Sequence, residues 1–553
     1  MLVKLIKRIL NACWLLPGFL LWASFPPMGE RFDCFFALAP LLYLARNSAV
    51  GRSARLWFVN GFVFWFATLS WMPAIVKNNG PWPLVALGWV CLAAYCALFF
   101  GVFGWLASVY WRWAGRNGEP GNGDVVFRSP PVVLRFLGLL FVEPVLWCGL
   151  ELVRSRLFGG FSWNQLGVAP VNAGFGSPAA FGGVYLVSAA VILVNGTIAS
   201  IAERFITRDR RLRRTLETFV PFALVFGIYS LRPPAPDAGS GRCLSVALVQ
   251  RNLPCCFRPQ ERENPVAAYS NLCAHVSQLR PDVVILPESA YAEIAPLDHP
   301  AAWRFSEWLT GITGAKAVLA GGGRYEADGR GYNSAALFIP GRTGAAIDRV
   351  QIYDKVHLVP FGEFIPGDKV FPVLQKLAPV GSCTPGELKL LSLPLSGSDS
   401  VVRLGPAICY EDTDSAQMRA LAEMGAQALV FITNDSWFSR SQEPVSHVWQ
   451  ATARAIETGL PVIRSGNSGV TGVIGPDGRA NWLCGNDGGP LVDAKGTLFD
   501  RVVVRSGPPV PTVYVRFGDG PLGVAFALLI LGYILIYLKA TYEQRRTLSL
   551  QIG

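Results

Sequence analysis

The stretch Leu404-Gly405-Pro406-Ala407-Ile408-Cys409-Tyr410-Glu411 decides the reading of this chain, because a short apolar run stops on a cysteine and is followed at once by polar residues. Two other runs stop in the same manner. Val283-Val284-Ile285-Leu286-Pro287-Glu288 ends in a carboxylate, and Tyr353-Asp354-Lys355-Val356-His357-Leu358-Val359-Pro360-Phe361-Gly362-Glu363 carries a lysine ahead of a turn and a further glutamate. Open α/β sheets gather reactive groups beyond the carboxyl ends of their strands. These three ends therefore nominate Cys409, Glu288 and Lys355, with Glu363, Tyr410 and Glu411 as supporting groups. Each residue alone has an ordinary use: a cysteine at a strand end packs as a small apolar group, a glutamate caps a helix, a lysine faces water. His357 reads as a residue that positions its loop rather than as a partner of Cys409.

Outward from these ends, residues 243–516 alternate short β-branched runs with amphipathic segments. LSVALVQ, DVVILP, AVLAGG, SAALFI, RLGPAIC, ALVFIT, PVIRS and GVTGVIG read as strands. Segments 265–279, 301–310, 416–424 and 447–458 read as helices, and Gly475-Pro476-Asp477-Gly478 as a turn between two late strands. The pattern predicts an α/β domain whose sheet is covered on both faces. Residues 232–242, rich in Pro and Gly, read as the linker that precedes it.

The rest of the chain belongs to lipid. Of 553 residues, 51% are hydrophobic and 16% charged, against about 25% charged in soluble chains; mean hydropathy is +0.35. Apolar runs recur near 9–25, 32–45, 56–76, 82–111, 132–153, 181–201 and 216–231, and again near 521–538. A bilayer takes about 20 apolar residues per helix. The expectation is a membrane domain over 1–231 with about seven spans, and a C-terminal span with a cytoplasmic tail over 517–553.

Basic residues give the orientation. Lys4, Lys7 and Arg8; Arg46, Arg52 and Arg55; Arg112, Arg116, Arg128 and Arg135; the arginines from Arg204 to Arg214; and Lys539, Arg545 and Arg546 fall on one side, whereas the opposite loops hold Arg31 and Lys77. Positive loops stay in the cytoplasm, so both termini are expected inside and residues 243–516 outside. The basic, then apolar, N-terminus is read as an uncleaved first span rather than a signal peptide, because the apolar run lies mostly after Cys13.

A net charge of +11 confined to such loops is no nucleic-acid surface. Twelve cysteines without paired CxxC spacing give no zinc site, and no metal or cofactor is expected. The pairing state of the adjacent Cys255 and Cys256 is left open.

The segments around Glu288, Lys355 and Cys409 resemble those of the nitrilase, or carbon-nitrogen hydrolase, superfamily, whose members place a Glu-Lys-Cys triad on an αββα sandwich. LPESA, KVHLVPFGEFIP, AICYE and ITNDSWF, with WNQLG at Trp163 to Gly167, resemble more particularly the bacterial apolipoprotein N-acyltransferase family, as does the placing of several spans ahead of the nitrilase-like domain and one behind it. The resemblance implies that Glu288 accepts a proton, Lys355 stabilises the oxyanion and Cys409 is the nucleophile. It also implies a phospholipid acyl donor, a diacylated apolipoprotein acceptor, a thioester intermediate and a bacterial inner-membrane location; a monomer is expected. That family often has a tryptophan shortly after the strand read here as VALVQ. This chain has Cys255-Cys256-Phe257-Arg258 there, so Phe257 is the substitute aromatic wall of the lipid site, with Trp437 as a second contact. Residues 361–377 read either as a lipid-facing mouth or lid or as an ordinary surface loop.

Two other functions compete with that reading. A membrane-bound nitrilase-type amidase would hydrolyse the same thioester with water. A transporter or receptor would carry an inactive nitrilase-like domain, and would use the few ionisable residues of the spans, Glu143, Glu151 and Arg154.

Overall fold

The computed structural model describes residues 14–78, 80–116, 130–207, 212–231, 241–254, 263–341, 347–365, 382–395, 401–438, 440–486, 488–507 and 510–552. The N-terminal part contains helices α1 (Leu16–Ala23), α2 (Ala39–Asn47), α3 (Val50–Thr68), α4 (Trp82–Arg116), α5 (Glu143–Arg154), α6 (Ala179–Thr207) and α7 (Leu212–Ser230). Among the described residues, five helical stretches are long and apolar enough to cross a membrane: Val50–Asn78, Trp82–Gly115, Val132–Arg154, Ala179–Thr207 and Gly520–Lys539. Cys34–Asn47 and Leu216–Ser230 are shorter apolar helices. Set against the eight runs read from the sequence, the seventh is a shorter helix, Leu216–Ser230, and the other differences lie at the start of the chain. There α1 has eight residues, and the second run is split at Leu38, just before Pro40, into Cys34–Ala37 and α2. A proline has no N–H to continue the helix behind it.

Breaks of this kind leave backbone groups that lipid cannot satisfy, and two asparagines take them up. Asn195 on α6 accepts the Leu38 N–H at 2.8 Å and donates to the Cys34 carbonyl at 2.8 Å. Asn60 on α3 accepts the Gly18 N–H at 2.9 Å and donates to the Trp14 carbonyl at 3.0 Å. The span carboxylates are likewise committed to structure. Glu143 receives Arg46 through two bonds of 3.0 and 2.6 Å, and Glu151 accepts the Leu166 N–H at 2.7 Å. Arg154 donates to the carbonyls of Phe161 and Trp163 and lies over the Trp65 ring. Two arginines counted toward orientation, Arg46 and Arg135, prove to be buried, the second paired with Glu203 and Glu217.

The following part is a two-sheet sandwich. Strands β1 (Gly241–Gln250), β2 (Val283–Ile285), β3 (Val318–Tyr325), β4 (Gly331–Pro340), β5 (Ile347–Asp354) and β12 (Gly496–Arg505) form one sheet in the order β12-β1-β2-β3-β4-β5. Strands β6 (Leu391–Pro394), β7 (Val401–Ile408), β8 (Ala428–Asn434), β9 (Val462–Asn467), β10 (Gly472–Ile474) and β11 (Ala480–Trp482) form the other, in the order β11-β10-β9-β8-β7-β6. The central strands run parallel, β1 with β2 and β3, and β7 with β8 and β9. That is why ALVFITN is apolar almost throughout and buried at every position: both faces of a parallel strand are covered.

Leu248, Ile285 and Leu319 of the first sheet meet Ile408, Val430 and Ile432 of the second in the core between them. Helices α8 (Pro265–Cys273) and α9 (Pro300–Thr313) cover the first sheet through Tyr269, Phe305 and Leu309. The second sheet carries α10 (Ser415–Glu423) and α11 (Glu443–Thr458), and these face the N-terminal helices. Helix α11 is buried along nearly its whole length because it has protein on both sides. Glu457 accepts the Val184 N–H of α6 at 2.7 Å, and Gln450 donates to Asn164 at 3.0 Å. The chain ends in α12 (Gly520–Ile552), which packs Phe526 against Gly149 of α5.

Candidate active site

Three strand ends converge. Glu288 follows β2, Lys355 follows β5, and Cys409 follows β7. The first two belong to one sheet and the third to the other. Cys409 opens a 3-10 turn, Cys409–Thr413, with its own backbone in the left-handed region at φ 53°. A side chain there is strained, and such residues concentrate where function requires a particular aim. Ser289, directly after Glu288, is also left-handed at φ 61°.

Lys355 is buried, with Nζ 2.9 Å from Glu363 Oε1 and 3.9 Å from Glu288 Oε1. Burial disfavours its charge, but Glu363 and Glu288 outweigh that and raise it above the usual lysine value, so the ammonium persists. Glu363 is pushed up by burial, yet Lys355, the Val359 N–H at 2.8 Å and the Asn333 amide at 2.7 Å together hold it below the ordinary carboxylate range. Glu288 goes the other way. Its burial, aided by Glu363 and Asp435, outweighs Lys355 and Asn333 and raises it. The paired carboxylates are thus separated into one that holds its charge and one poised to take up a proton.

Cys409 feels the same charges. Burial raises its thiol well above the ordinary value; Glu288 and Asp435 add to this, while Lys355 and the Thr433 hydroxyl oppose it. The resting group is a neutral thiol, which needs a base to become a nucleophile.

The supporting residues fall into distinct places. Glu363 is in the cluster. Glu411 is fully buried and directed at backbone: it accepts the N–H groups of Ile408 (2.7 Å), Val356 (2.7 Å) and His357 (3.0 Å) and the Tyr353 hydroxyl (2.8 Å). It fastens the Cys409 turn to the Lys355 strand end. Tyr410 points to the N-terminal helices, its hydroxyl donating to the Gly160 carbonyl at 3.2 Å and its ring stacked 6.4 Å from Phe161. His357 lies 3.5 Å from Asp414 and packs its edge on Tyr410, in keeping with a loop-positioning role. Trp437 is exposed beside the helical turn Met72–Asn78, where its carbonyl accepts the Asn78 amide at 3.0 Å. Phe257, Cys255 and Cys256 lie outside the described residues, as does the candidate lid or loop beyond Ile365. Phe361, at its start, is exposed and left-handed at φ 59°.

Asn333 is the residue that sequence reasoning missed. Its side-chain N–H₂ donates to Glu288 Oε1 and Glu363 Oε1, both at 2.7 Å, and its backbone carbonyl accepts the backbone N–H of Lys355 at 2.8 Å. An asparagine inside the apolar strand GYNSAALFIP was the available signal, since strand interiors are poor in asparagine.

Residues 17–197 match the family described as Apolipoprotein N-acyltransferase N-terminal domain, and residues 245–488 match Carbon-nitrogen hydrolase. An apolipoprotein N-acyltransferase of Geobacter metallireducens is 31% identical over 91% of this chain and 91% of its own. One from Rhizobium rhizogenes is 29% identical over 96% of this chain and 97% of its own. A crystal structure of an amidase from Nesterenkonia sp. aligns at 20% identity over 50% of this chain and 94% of that one, with a TM-score of 0.34.

Proposed function

This chain belongs to the apolipoprotein N-acyltransferase family, and from that premise we propose that its transfer runs through a thioester on Cys409 with Glu288 as base and Lys355 as electrostatic support. The enzyme is a multi-span inner-membrane acyltransferase. It moves an acyl chain from a phospholipid to the α-amino group of the N-terminal diacylglyceryl-cysteine of an apolipoprotein, the last step of lipoprotein maturation. The observation that carries the mechanism is the convergence of Glu288, Lys355 and Cys409 from two sheets, with Lys355 within reach of two carboxylates.

In the first half reaction Glu288 takes the thiol proton as sulfur attacks the ester carbonyl of the phospholipid. Negative charge develops on the carbonyl oxygen, where the Lys355 ammonium stabilises it; one such donor is worth roughly 3–4 kcal/mol. The ester C–O bond breaks, Glu288 returns its proton to the departing alkoxide, and a lysophospholipid leaves. In the second half reaction the lipoprotein amine attacks the thioester, Glu288 accepts the proton that the nitrogen sheds, the C–S bond breaks and the thiolate is reprotonated. The product is an amide.

Both substrates are lipids, and each acyl CH₂ withdrawn from the bilayer costs about 0.8 kcal/mol. The chemistry therefore belongs at the membrane surface. The packing of α11 on α6 and the Tyr410–Gly160 bond support that position for the turn that bears Cys409. The asymmetry of basic loops supports an extracytoplasmic face for the sandwich, with both termini in the cytoplasm; the enzyme is proposed to act as a monomer. Residues 1–231 then serve as the membrane domain, 232–242 as the linker, 243–516 as the catalytic domain, and 517–553 as the final span and tail.

The test is mass spectrometry of the full-length protein after incubation with phospholipid. A hydroxylamine-labile acyl adduct on Cys409, absent from Cys409→Ala, is expected; an adduct elsewhere, or none, overturns the mechanism. Release of lysophospholipid in proportion to added lipoprotein acceptor distinguishes transfer from hydrolysis, which would release free fatty acid without acceptor.

A further inference from the structure

A second charged cluster, with no part in the mechanism above, lies between the Cys409 turn and α11. Asp412 is the third residue after Cys409, Asp435 follows β8, Arg464 is on β9 and His447 is on α11; none is more than 1% exposed. The imidazole bridges the two aspartates, with Nδ1 2.9 Å from Asp435 Oδ1 and Nε2 3.0 Å from Asp412 Oδ1. The Arg464 guanidinium bridges them again, bonded to Asp412 Oδ2 and 3.4 Å from Asp435 Oδ2. Two anions and two cations alternate around a ring.

Asp435, Glu443 and His447 bring ligand atoms within 4.8 Å of one another, a spacing suited to a metal ion. Arg464 and an imidazolium already supply the two positive charges that two aspartates need, so the ring is complete without one. Burial pushes the imidazole down, but Asp412 and Asp435 outweigh it and push it up to about 10, so His447 is charged at neutral pH. Glu443, 3.5 Å from His447 Nδ1, is raised well above the ordinary carboxylate range by burial and by Asp435, against His447 and Arg464, which favours its neutral form.

The ring is coupled to the nucleophile by more than chain proximity. The Thr433 hydroxyl lies between the two groups, its single proton going to Asp435 Oδ1 at 2.9 Å or to the Cys409 sulfur. The charged groups that face Cys409 are Glu288 after β2, Lys355 after β5, Asp435 after β8 and Arg464 on β9. Those that face His447 are Asp412, Asp435, Glu443 and Arg464. Asp435 alone would oppose ionisation of the thiol. Neutralised on both sides, it does so far less.

We propose that the Asp412–His447–Asp435–Arg464 ring is a charge-balanced seat for Cys409, and that His447 is a positioning residue whose positive charge keeps the thiol ionisable. The ring rests on the reading of Cys409 as the nucleophile. It adds that the reactivity of this sulfur is set from beneath its turn as well as from the Glu288–Lys355 side. The Trp163 ring, 5.4 Å from the imidazole, connects the same seat to the N-terminal part of the chain.

The test is the pH profile of Cys409 alkylation by iodoacetamide in the full-length protein in detergent, followed peptide by peptide by mass spectrometry. His447→Gln leaves the ring with one excess negative charge, and its profile is expected to move to higher pH, slowing alkylation at pH 8 about ten-fold. Asp435→Asn leaves one excess positive charge and is expected to move the profile to lower pH. The double variant Asp435→Asn/His447→Gln restores balance and is expected to return toward the parent. Loosening of the fold moves a buried thiol down toward its ordinary value, so an upward shift in His447→Gln is not a structural effect. A His447→Gln profile that is unchanged or moves down overturns the seat. Failure to find an acyl group on Cys409 would defeat the proposed mechanism, while the alkylation series would still judge the ring.

Discussion

The Glu411 carboxylate accepts the Val356 N–H at 2.7 Å, and through this bond the turn that begins at Cys409 is tied to the strand end that presents Lys355. The same carboxylate also accepts the N–H groups of Ile408 and His357, so every partner on the backbone is a donor. Glu411→Gln places an N–H₂ where one of these donors points. The expected result is a folded enzyme that has lost at least a hundred-fold in kcat, since displacement of about 1 Å at a reacting group has that effect. Retention of parental kcat for acyl-enzyme formation would show that the two strand ends hold their spacing without it.

Asn333 is expected to set the acid limit of the reaction. Glu288 is raised by burial, and the Asn333 amide is one of the two groups that lower it. Asn333→Ala removes that opposition, so the folded-state value rises further. The base acts only when ionised, so the acid limb of kcat/KM for the donor lipid moves to higher pH, and activity at fixed acid pH falls. A profile whose acid limb stays in place would assign that limb to another group.

Gly321 on β3 is expected to accept no side chain. A Cβ at this position would lie 2.6 Å from Glu288 Cα and 2.8 Å from the Pro287 carbonyl oxygen, both backbone atoms that cannot swing aside. Gly321→Ala therefore displaces Glu288 itself, and a ten-fold or greater loss of kcat is expected with about 1–3 kcal/mol of stability. Steady-state kinetics beside thermal unfolding checks this. An unimpaired kcat would mean that the segment 287–289 moves as a unit.

Arg46 and Glu143 are expected to matter for folding and not for chemistry. Their two bonds, 3.0 and 2.6 Å, are buried in the N-terminal part, with the Trp111 indole donating to the same carboxylate at 2.9 Å. Removal of one partner leaves an unpaired buried charge, which costs about 3–5 kcal/mol. Arg46→Met is expected to lower the midpoint of thermal unfolding in detergent, and Arg46→Met/Glu143→Gln to recover much of it. Full stability in Arg46→Met alone would contradict the assignment of this pair to structure.

The parts of the site legible in the sequence were those carried by a change of pattern. Glu288 and Cys409 each stand where an apolar run stops, so the periodicity that marks a strand also marks its reactive end, whereas Lys355 was marked by the turn and glutamate that follow it. Eight runs read as strands correspond to β1 to β4 and β7 to β10. Strands β5, β6, β11 and β12 were not read as such. In IDRVQIYD and GTLFDRVVVR, charged residues interrupt the apolar alternation, and ANW and LSLP are too short to show any period. Asn333 and the ring around His447 were illegible for a different reason. Their partners are far apart in sequence, so no local pattern encodes them: His447 meets Asp412 across 35 positions, and Asn333 meets Glu288 across 45. The split of the second apolar run follows from Pro40, but the asparagine that repairs it, Asn195, lies 157 positions from Leu38.

The placing of Glu288 and Lys355 on one sheet and Cys409 on the other has a mechanical consequence. No covalent segment shorter than a strand connection fixes the sulfur relative to its base, so their alignment rests on the packing of one layer on the other and on the Glu411 bonds that cross between them. Slippage of one layer over the other, far too small to melt either, would separate thiol from carboxylate. Turnover in this protein is therefore a strain gauge for the seam of the sandwich: on heating or in denaturant it should fade while both layers still hold their hydrogen bonds.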